Sequence, residues 1–224
     1  ADIHEINTVR KHLSKIKGGR LGSYYAPATV VSLILSDVIG NDLDIIASGP
    51  TYPDQSTFTD ACCILERYRL LDKTTVNIAA LLKRGMSGEL EDTPKALDNC
   101  HNYIIGDNNL ALGAMSARAT ELGFHPYIIT AEQQGDTTLQ AQLRALEIID
   151  RKYAGHNLLL IGGETTPTLP ENVGQGGRNQ HYAAISMLAL KDYAREWTMA
   201  SVGSDGSDFL PDVAGAIVDN GTLA

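Results

Sequence analysis

Residues 102–130 read NYIIGDNNLALGAMSARATELGFHPYIIT, and the fold class turns on this stretch. Asn102-Tyr103-Ile104-Ile105-Gly106 is β-rich, and Asp107-Asn108 offers a helix N-cap directly after it. The segment that follows carries Leu110, Ala114 and Ala117 as the expected inner face, small enough to lie close on a sheet. Gly123 ends the helix and Pro126 to Thr130 reads as the returning strand. Strand, helix and strand in this order predict a βαβ unit, and with it a parallel sheet.

The pattern extends in both directions. Thr29 to Leu35 is a near-continuous apolar strand that runs into Ser36-Asp37. Residues 57–70 predict a helix with Phe58, Ala61, Cys62, Leu65 and Tyr68 on one face. Residues 138–153 carry the cleanest helical period: Leu139, Leu143, Leu146, Ile149 and Tyr153. Leu158 to Ile161 is a strand leading into Gly162-Gly163-Glu164, and a helix is expected from about Arg178 with Tyr182, Ile185 and Leu188 as its stripe. Thr198 to Val202 is the last legible strand and empties into Gly203-Ser204-Asp205-Gly206. The alternation predicts an α/β fold, mostly parallel sheets flanked by helices. A composition shift near Ala154-Gly155-His156 marks the expected boundary between residues 1–155 and 156–224.

Composition narrows the function classes. The 224 residues carry 18 Lys+Arg against 27 Asp+Glu, a formal charge of −9, which argues against general nucleic-acid binding. No apolar run approaches the roughly 20 residues that cross a bilayer, and no secretory signal is visible. Cys62, Cys63 and Cys100 form no zinc or disulfide pattern; the vicinal pair reads as buried packing residues in a reducing, cytoplasmic compartment. The chain opens on Ala1-Asp2-Ile3 and stops at Thr222-Leu223-Ala224, and both ends read as cut edges. Arg10, Lys11, Lys15, Lys17 and Arg20 cluster near the start, as a solvated helix face or a local anion site.

Three strands end in decorated loops, where ligands of parallel sheets sit. The first loop holds Ser36-Asp37-Val38-Ile39-Gly40 and then Ala47-Ser48-Gly49-Pro50-Thr51. An acid directly after a buried strand orients a hydroxyl, accepts its proton or holds a cation, or else caps a turn. The second joins Gly162-Gly163-Glu164-Thr165-Thr166 to Gly176-Gly177-Arg178-Asn179-Gln180, glycines and a helix start suited to an oxyanion. The third, Gly203-Ser204-Asp205-Gly206-Ser207-Asp208, spaces two acids either for a hydrated magnesium or as turn residues. Walker A, Rossmann, H-E-x-x-H and G-x-S-x-G patterns are all missing from the sequence. Glycines, arginines and loop acids together favour phosphoryl transfer over hydrolysis or redox chemistry.

The run Glu5 to Leu21, with Ser36-Asp37-Val38-Ile39-Gly40, Ile46 to Thr51, Gly162 to Thr166, Gly176 to Gln180 and the Gly203–Phe209 loop, resembles the glycerate 2-kinase family in order and over nearly the whole chain. The resemblance implies an ATP- and Mg2+-dependent kinase that phosphorylates the 2-hydroxyl of D-glycerate. It also implies two α/β domains with the site in a cleft, the second being the MOFRL part from about His156. Members have also been labelled hydroxypyruvate reductases, a label with no nicotinamide fold here to support it. On matching positions, Asp37 takes the role of catalytic aspartate and Arg178 that of active-site arginine. Lys17, Gly18, Gly19, Arg20, Ser48, Gly49, Thr51, Gly162, Gly163, Glu164, Thr165, Gly176 and Gly177 take nucleotide and phosphate contacts, and Asp205 and Asp208 the metal. The small-molecule substrate is then the only partner expected, with neither nucleic acid nor membrane; a homo-oligomer is left open.

Four positions depart from the family pattern: Asn41 for aspartate, His181 for glutamate, Ser204 for threonine and Phe209 for glycine. The phenylalanine is expected to fill space beside its loop. The family's preceding segment, with an active-site lysine and a Ser-Gly-Gly-Gly-Ser loop, and its last C-terminal stretch are not in these residues. Residues 1–224 alone are therefore expected to be inactive or severely impaired. The alternative is a non-catalytic relative that binds a sugar acid or a nucleotide.

Overall fold

The computed structural model describes residues 1–223; Ala224 lies outside the described residues. The chain divides into two compact units, Ala1–Asp107 and Asn108–Ala224. The first unit comprises α1 (Ile3–Leu13), α2 (Arg20–Tyr24), β1 (Val30–Leu35), α3 (Phe58–Arg67), α4 (Val76–Met86) and β2 (Cys100–Gly106). Helix α1 starts on a reciprocal cap: the Asp2 carboxylate accepts from the Glu5 backbone N–H at 2.9 Å and Glu5 accepts from Asp2 N–H at 3.1 Å. Thr57 and Asp60 repeat the device at α3. The core of this unit is helical, with Phe58, Ala61, Cys62 and Leu65 of α3 packed on Leu82 of α4. Gly85 makes the close crossing feasible, since a Cβ there would lie 2.2 Å from the Phe58 ring. Strands β1 and β2 pair in parallel from Val30↔Cys100 to Ile34↔Ile104.

The second unit comprises α5 (Asn108–Glu121), β3 (Pro126–Gln133), α6 (Thr137–Ile149), β4 (Leu158–Gly163), α7 (Arg178–Ala189), β5 (Thr198–Val202) and β6 (Gly215–Asp219). β3 and β4 are parallel and α6 connects them, so this is the right-sized βαβ crossover of the chain. β5 and β6 form an antiparallel pair. The architecture is α/β. No helix among the described residues is long and apolar enough to cross a membrane.

Four expectations are corrected. Residues 102–130 form a strand, a helix and a strand but no βαβ unit: β2 pairs with β1, β3 with β4, and the division between units falls at Asp107/Asn108. Helix α5 buries Leu112 and Ala119, while Leu110, Ala114 and Ala117 are exposed. Small apolar residues occur all around this helix, so its period selects no face. Helix α6 buries Thr137, Ala141 and Ala145 and leaves Leu139, Leu143, Leu146 and Ile149 exposed. The small residues let α6 approach α7 closely, and the leucine stripe lies on the opposite side. Cys62 is buried but Cys63 is exposed, because adjacent helical residues point about 100° apart.

Candidate functional site

In the first unit, the Lys17–Arg20 turn lies on the Ala47–Gly49 segment. Gly18 and Gly19 adopt left-handed backbone (φ 58° and 80°), which lets their N–H groups donate to Ser48 O at 2.9 Å and Gly49 O at 2.7 Å. Lys17 Nζ donates to Ala47 O at 2.8 Å. Beneath the turn, Lys11 is 1% exposed and pairs with Asp44 and with Asp54, the latter at 3.2 Å. Asp54, itself buried, also accepts from the Ser56 N–H and hydroxyl (3.1 and 2.8 Å) and from the Thr93 hydroxyl at 2.9 Å. Burial pushes the Asp54 carboxyl up, but the Ser56 and Thr93 hydrogen bonds and the Lys11 charge outweigh it and hold it below the usual carboxylate range. A Cβ on Gly18 would meet Thr93, Lys11 and Asp54 at 3.0–3.2 Å, so this buried ion pair is the floor of the turn.

Two expected contact residues prove to face inward. The Ser48 hydroxyl donates to Asn7 Oδ1 at 3.0 Å, and Thr51 Oγ1 lies 2.8 Å from Ser32 Oγ and donates to Asn102 Oδ1 at 2.6 Å. These hydroxyls tie the segment to α1 and the sheet. Asp37 stands exposed just beyond β1. Asn41 donates to the Asp107 carboxylate at 2.6 Å, a bond that an aspartate at 41 could not supply without setting two carboxylates together.

In the second unit, the two glycine loops meet. Gly163 must be glycine, because a Cβ would sit 2.3 Å from the Gln133 backbone. Thr165 is buried and accepts from the Thr137 hydroxyl at 3.0 Å, so it anchors the loop. Glu164 and Arg178 form an ion pair, and both side chains are about half exposed. Just behind Arg178, Asp208 takes the start of α7: Oδ1 accepts from Asn179 N and Nδ2 (3.0 and 3.1 Å), Oδ2 from Gln180 N and Nε2 (2.8 and 3.2 Å). Burial raises the Asp208 carboxyl, but these backbone and side-chain donors outweigh it and hold it below its usual range. Gly177 leaves the room, since its Cβ would fall 2.2 Å from Asp208 Oδ1.

The acids of the third loop thus divide. Asp208 is a capping acceptor, 3% exposed, and Asp205 is exposed and accepts from Ser207 N–H at 3.0 Å. Among the described residues no group of three or more His, Cys, Asp or Glu could hold a metal ion. Asp208, with both oxygens taken by the start of α7, is not open to a magnesium ion. Phe209 has left-handed backbone (φ 67°), the conformation that the family's glycine suits, and its ring is 75% exposed rather than filling the loop. A separate cavity of about 380 Å³ beside β3 and α6 is lined by Tyr127, Gln133, Arg144, Glu147 and Tyr153, none of them expected in the site from the sequence. Glu147 in its wall is paired with Arg144 and Lys152.

Of the expected site residues, Lys17, Gly18 and Gly19 meet the 47–49 segment in the first unit, and Glu164, Gly177 and Arg178 gather with Asp208 in the second; among the described residues no hydrogen bond or ion pair joins Asp37 to either group. Lys11 and Asp54 were the residues that sequence reasoning missed as scaffold. Lys11 was visible only as one more cation, and the Asp54-Gln55-Ser56 turn pattern was the one local signal of a bonded aspartate.

Fold and loops together define an α/β chain whose strand-end loops present glycines and charged side chains. Residues 1–83 match the family described as a domain of unknown function (DUF4147), and residues 157–224 match the MOFRL family. The chain is 41% identical to a protein of Pyrococcus horikoshii named glycerate 2-kinase, over 99% of this chain and 51% of that one. It is 39% identical to the D-glycerate 2-kinase of Thermotoga maritima, over 99% and 52%. The crystal structure of the Thermotoga maritima glycerate kinase superimposes with a TM-score of 0.81 at 37% identity, over 98% of this chain and 52% of that one. The chain is similar to proteins named glycerate kinase along nearly its whole length. It spans about half the length of the curated relatives it matches.

Proposed function

We propose that the protein of which these residues are part transfers a phosphoryl group from ATP to the 2-hydroxyl of D-glycerate. The observation that carries this reading is the similarity to proteins named glycerate 2-kinase over 99% of the chain, with Asp37 and Arg178 at strand- and helix-end positions. Asp37 orients the glycerate hydroxyl and accepts its proton; geometry after a parallel strand suits that work. Arg178 binds the glycerate carboxylate or the transferring phosphoryl oxygens, for which a planar guanidinium is suited. Lys17 and Arg20 supply counter-charges for the nucleotide phosphates, while the backbone N–H groups of Gly18, Gly19, Ser48 and Gly49 are spent on bonds within the turn and its neighbouring segment. Magnesium then enters with the nucleotide phosphates, since few protein ligands are needed for a hydrated ion.

Residues 1–155 and 156–224 are carried as the two family domains, and residues 1–224 alone are expected to turn over poorly or not at all. A second reading, ligand binding without turnover, is favoured by the pairing of Arg178 with Glu164, which leaves the guanidinium already neutralised. A coupled assay for ADP formation with D-glycerate, run on the full-length gene product, separates them. Turnover lost in Asp37→Asn supports the kinase; calorimetric binding of D-glycerate without ADP formation supports the second reading.

A further inference from the structure

His12, on α1, is 2% exposed, and its ring lies between two oxygens. Nδ1 is 2.8 Å from the backbone oxygen of Thr8, and Nε2 is 2.8 Å from Asp92 Oδ1. A carbonyl oxygen can only accept. Asp92 Oδ1 already accepts from the Thr93 N–H at 3.0 Å, and Lys95 Nζ stands 3.7 Å from it, so this carboxylate is an acceptor too. A neutral imidazole has one N–H to donate, whereas two facing acceptors call for two. The surroundings allow the charge. The Phe58 ring of α3 meets His12 in an edge arrangement with centroids 4.8 Å apart, and neighbouring Lys11 is neutralised by Asp44 and Asp54.

Asp92 belongs to a strap, residues 91–95, that lies outside both of the matched family stretches and runs beneath the Lys17–Arg20 turn. Glu91 O accepts from Arg20 Nη2 at 3.5 Å. The Thr93 hydroxyl donates to buried Asp54 at 2.9 Å, and Pro94 O accepts from the Asp54 N–H at 3.0 Å. Helix α1 ends at Leu13, four residues before Lys17, so a contact that fixes His12 fixes the entry to the turn.

We propose that His12 is a buried imidazolium paired with Asp92, and that this pair clasps α1 to the 91–95 strap and so positions the Lys17–Arg20 turn. Both are positioning residues that act through the turn. The charged pair stands on geometry alone; only the use of the turn for phosphates rests on the kinase reading.

Nitrogen NMR on the full-length gene product labelled with 15N-histidine tests it without substrate, with His12 assigned by its absence in His12→Gln. At neutral pH both His12 nitrogens should resonate as protonated imidazole nitrogens. In Asp92→Asn, which keeps the shape and removes the charge, one of them should move to the unprotonated range. An unprotonated nitrogen in the unmodified protein would overturn the proposal, as would two protonated nitrogens that persist in Asp92→Asn. Hydrogen exchange read by mass spectrometry checks the positioning. In Asp92→Ala the peptide carrying Gly18 and Gly19, whose N–H groups hold the turn to Ser48 and Gly49, should exchange about fivefold faster or more, with the α4 peptide unchanged. Unchanged exchange at the turn would overturn the clasp, and so would an equal rise in α4, which makes the pair a general stabiliser of the unit. Absence of ADP formation by the full-length product would sink the kinase reading and leave both readouts standing.

Discussion

Glu164, at the end of β4, and Arg178, at the start of α7, form an ion pair across two glycine loops. Each side chain is about half exposed, so the pair contributes no more than about 1 kcal/mol to stability. Its value to the molecule is placement: it holds a guanidinium at a helix N-terminus where an incoming anion would compete with Glu164.

Arg178→Ala should therefore change unfolding free energy by less than about 1 kcal/mol. The same change should lower kcat/KM for D-glycerate in the full-length product by roughly 100-fold or more, the scale of losing a preorganised charge. Denaturant titration beside steady-state kinetics checks both. A large stability loss with unchanged kinetics would make Arg178 a structural residue.

Lys11 behaves oppositely. With Asp54 buried against it, Lys11→Met should destabilise by about 3–5 kcal/mol, because it leaves a buried carboxylate without its counter-charge. Lys11→Met combined with Asp54→Asn should recover part of that loss, since the amide needs no partner charge. Urea unfolding of Lys11→Met, Asp54→Asn and the double variant reads the coupling, and a strictly additive double variant would contradict the assigned pair.

Asp54 and Asp208 set the expected acid response. Both carboxyls are held below their usual range in the folded chain, so they bind protons more weakly than in the unfolded chain, where the value is about 3.9. Their stabilisation is fully present above that unfolded value and is lost as pH falls through the lower folded values. Stability should fall as pH drops below about 5. Asp208→Asn should have a shallower acid slope than the unmodified chain in thermal melts from pH 6 to pH 3.

Phe209→Gly separates two views of one departure. Removing a buried phenylalanine would cost about 3–5 kcal/mol. The ring is exposed and its backbone left-handed, so glycine relieves about 1–2 kcal/mol of strain against a smaller entropy cost. The melting temperature should stay level or rise; a fall of several degrees would show that the ring packs on something in solution.

The strands and helices were legible where one period stood out: β1, β2, β4, β5, α3 and the start of α7 fall close to their expected bounds. Partner choice was not legible. Nothing local tells β2 to pair with β1 rather than β3, because pairing is set by residues far apart in the chain. The face of α6 was also hidden, since Ala141 and Ala145 pack inward while the stronger leucine signal stays exposed. In the candidate site, glycines and Arg178 could be read from spacing. The inward turn of Ser48, Thr51 and Thr165 could not, because a hydroxyl's partner is chosen by the tertiary fold. Asp208 looked like half of an acidic pair in a loop; only the approach of α7 makes it a cap.

The proposed reaction transfers a phosphoryl group to the 2-hydroxyl of D-glycerate. Incubating the full-length gene product with ATP and D-glycerate and resolving the products by phosphorus NMR tests it directly. 2-Phosphoglycerate should accumulate with ADP, and neither product should form with Asp37→Asn. Full turnover by Asp37→Asn, or phosphorylation at the 3-position, would contradict it.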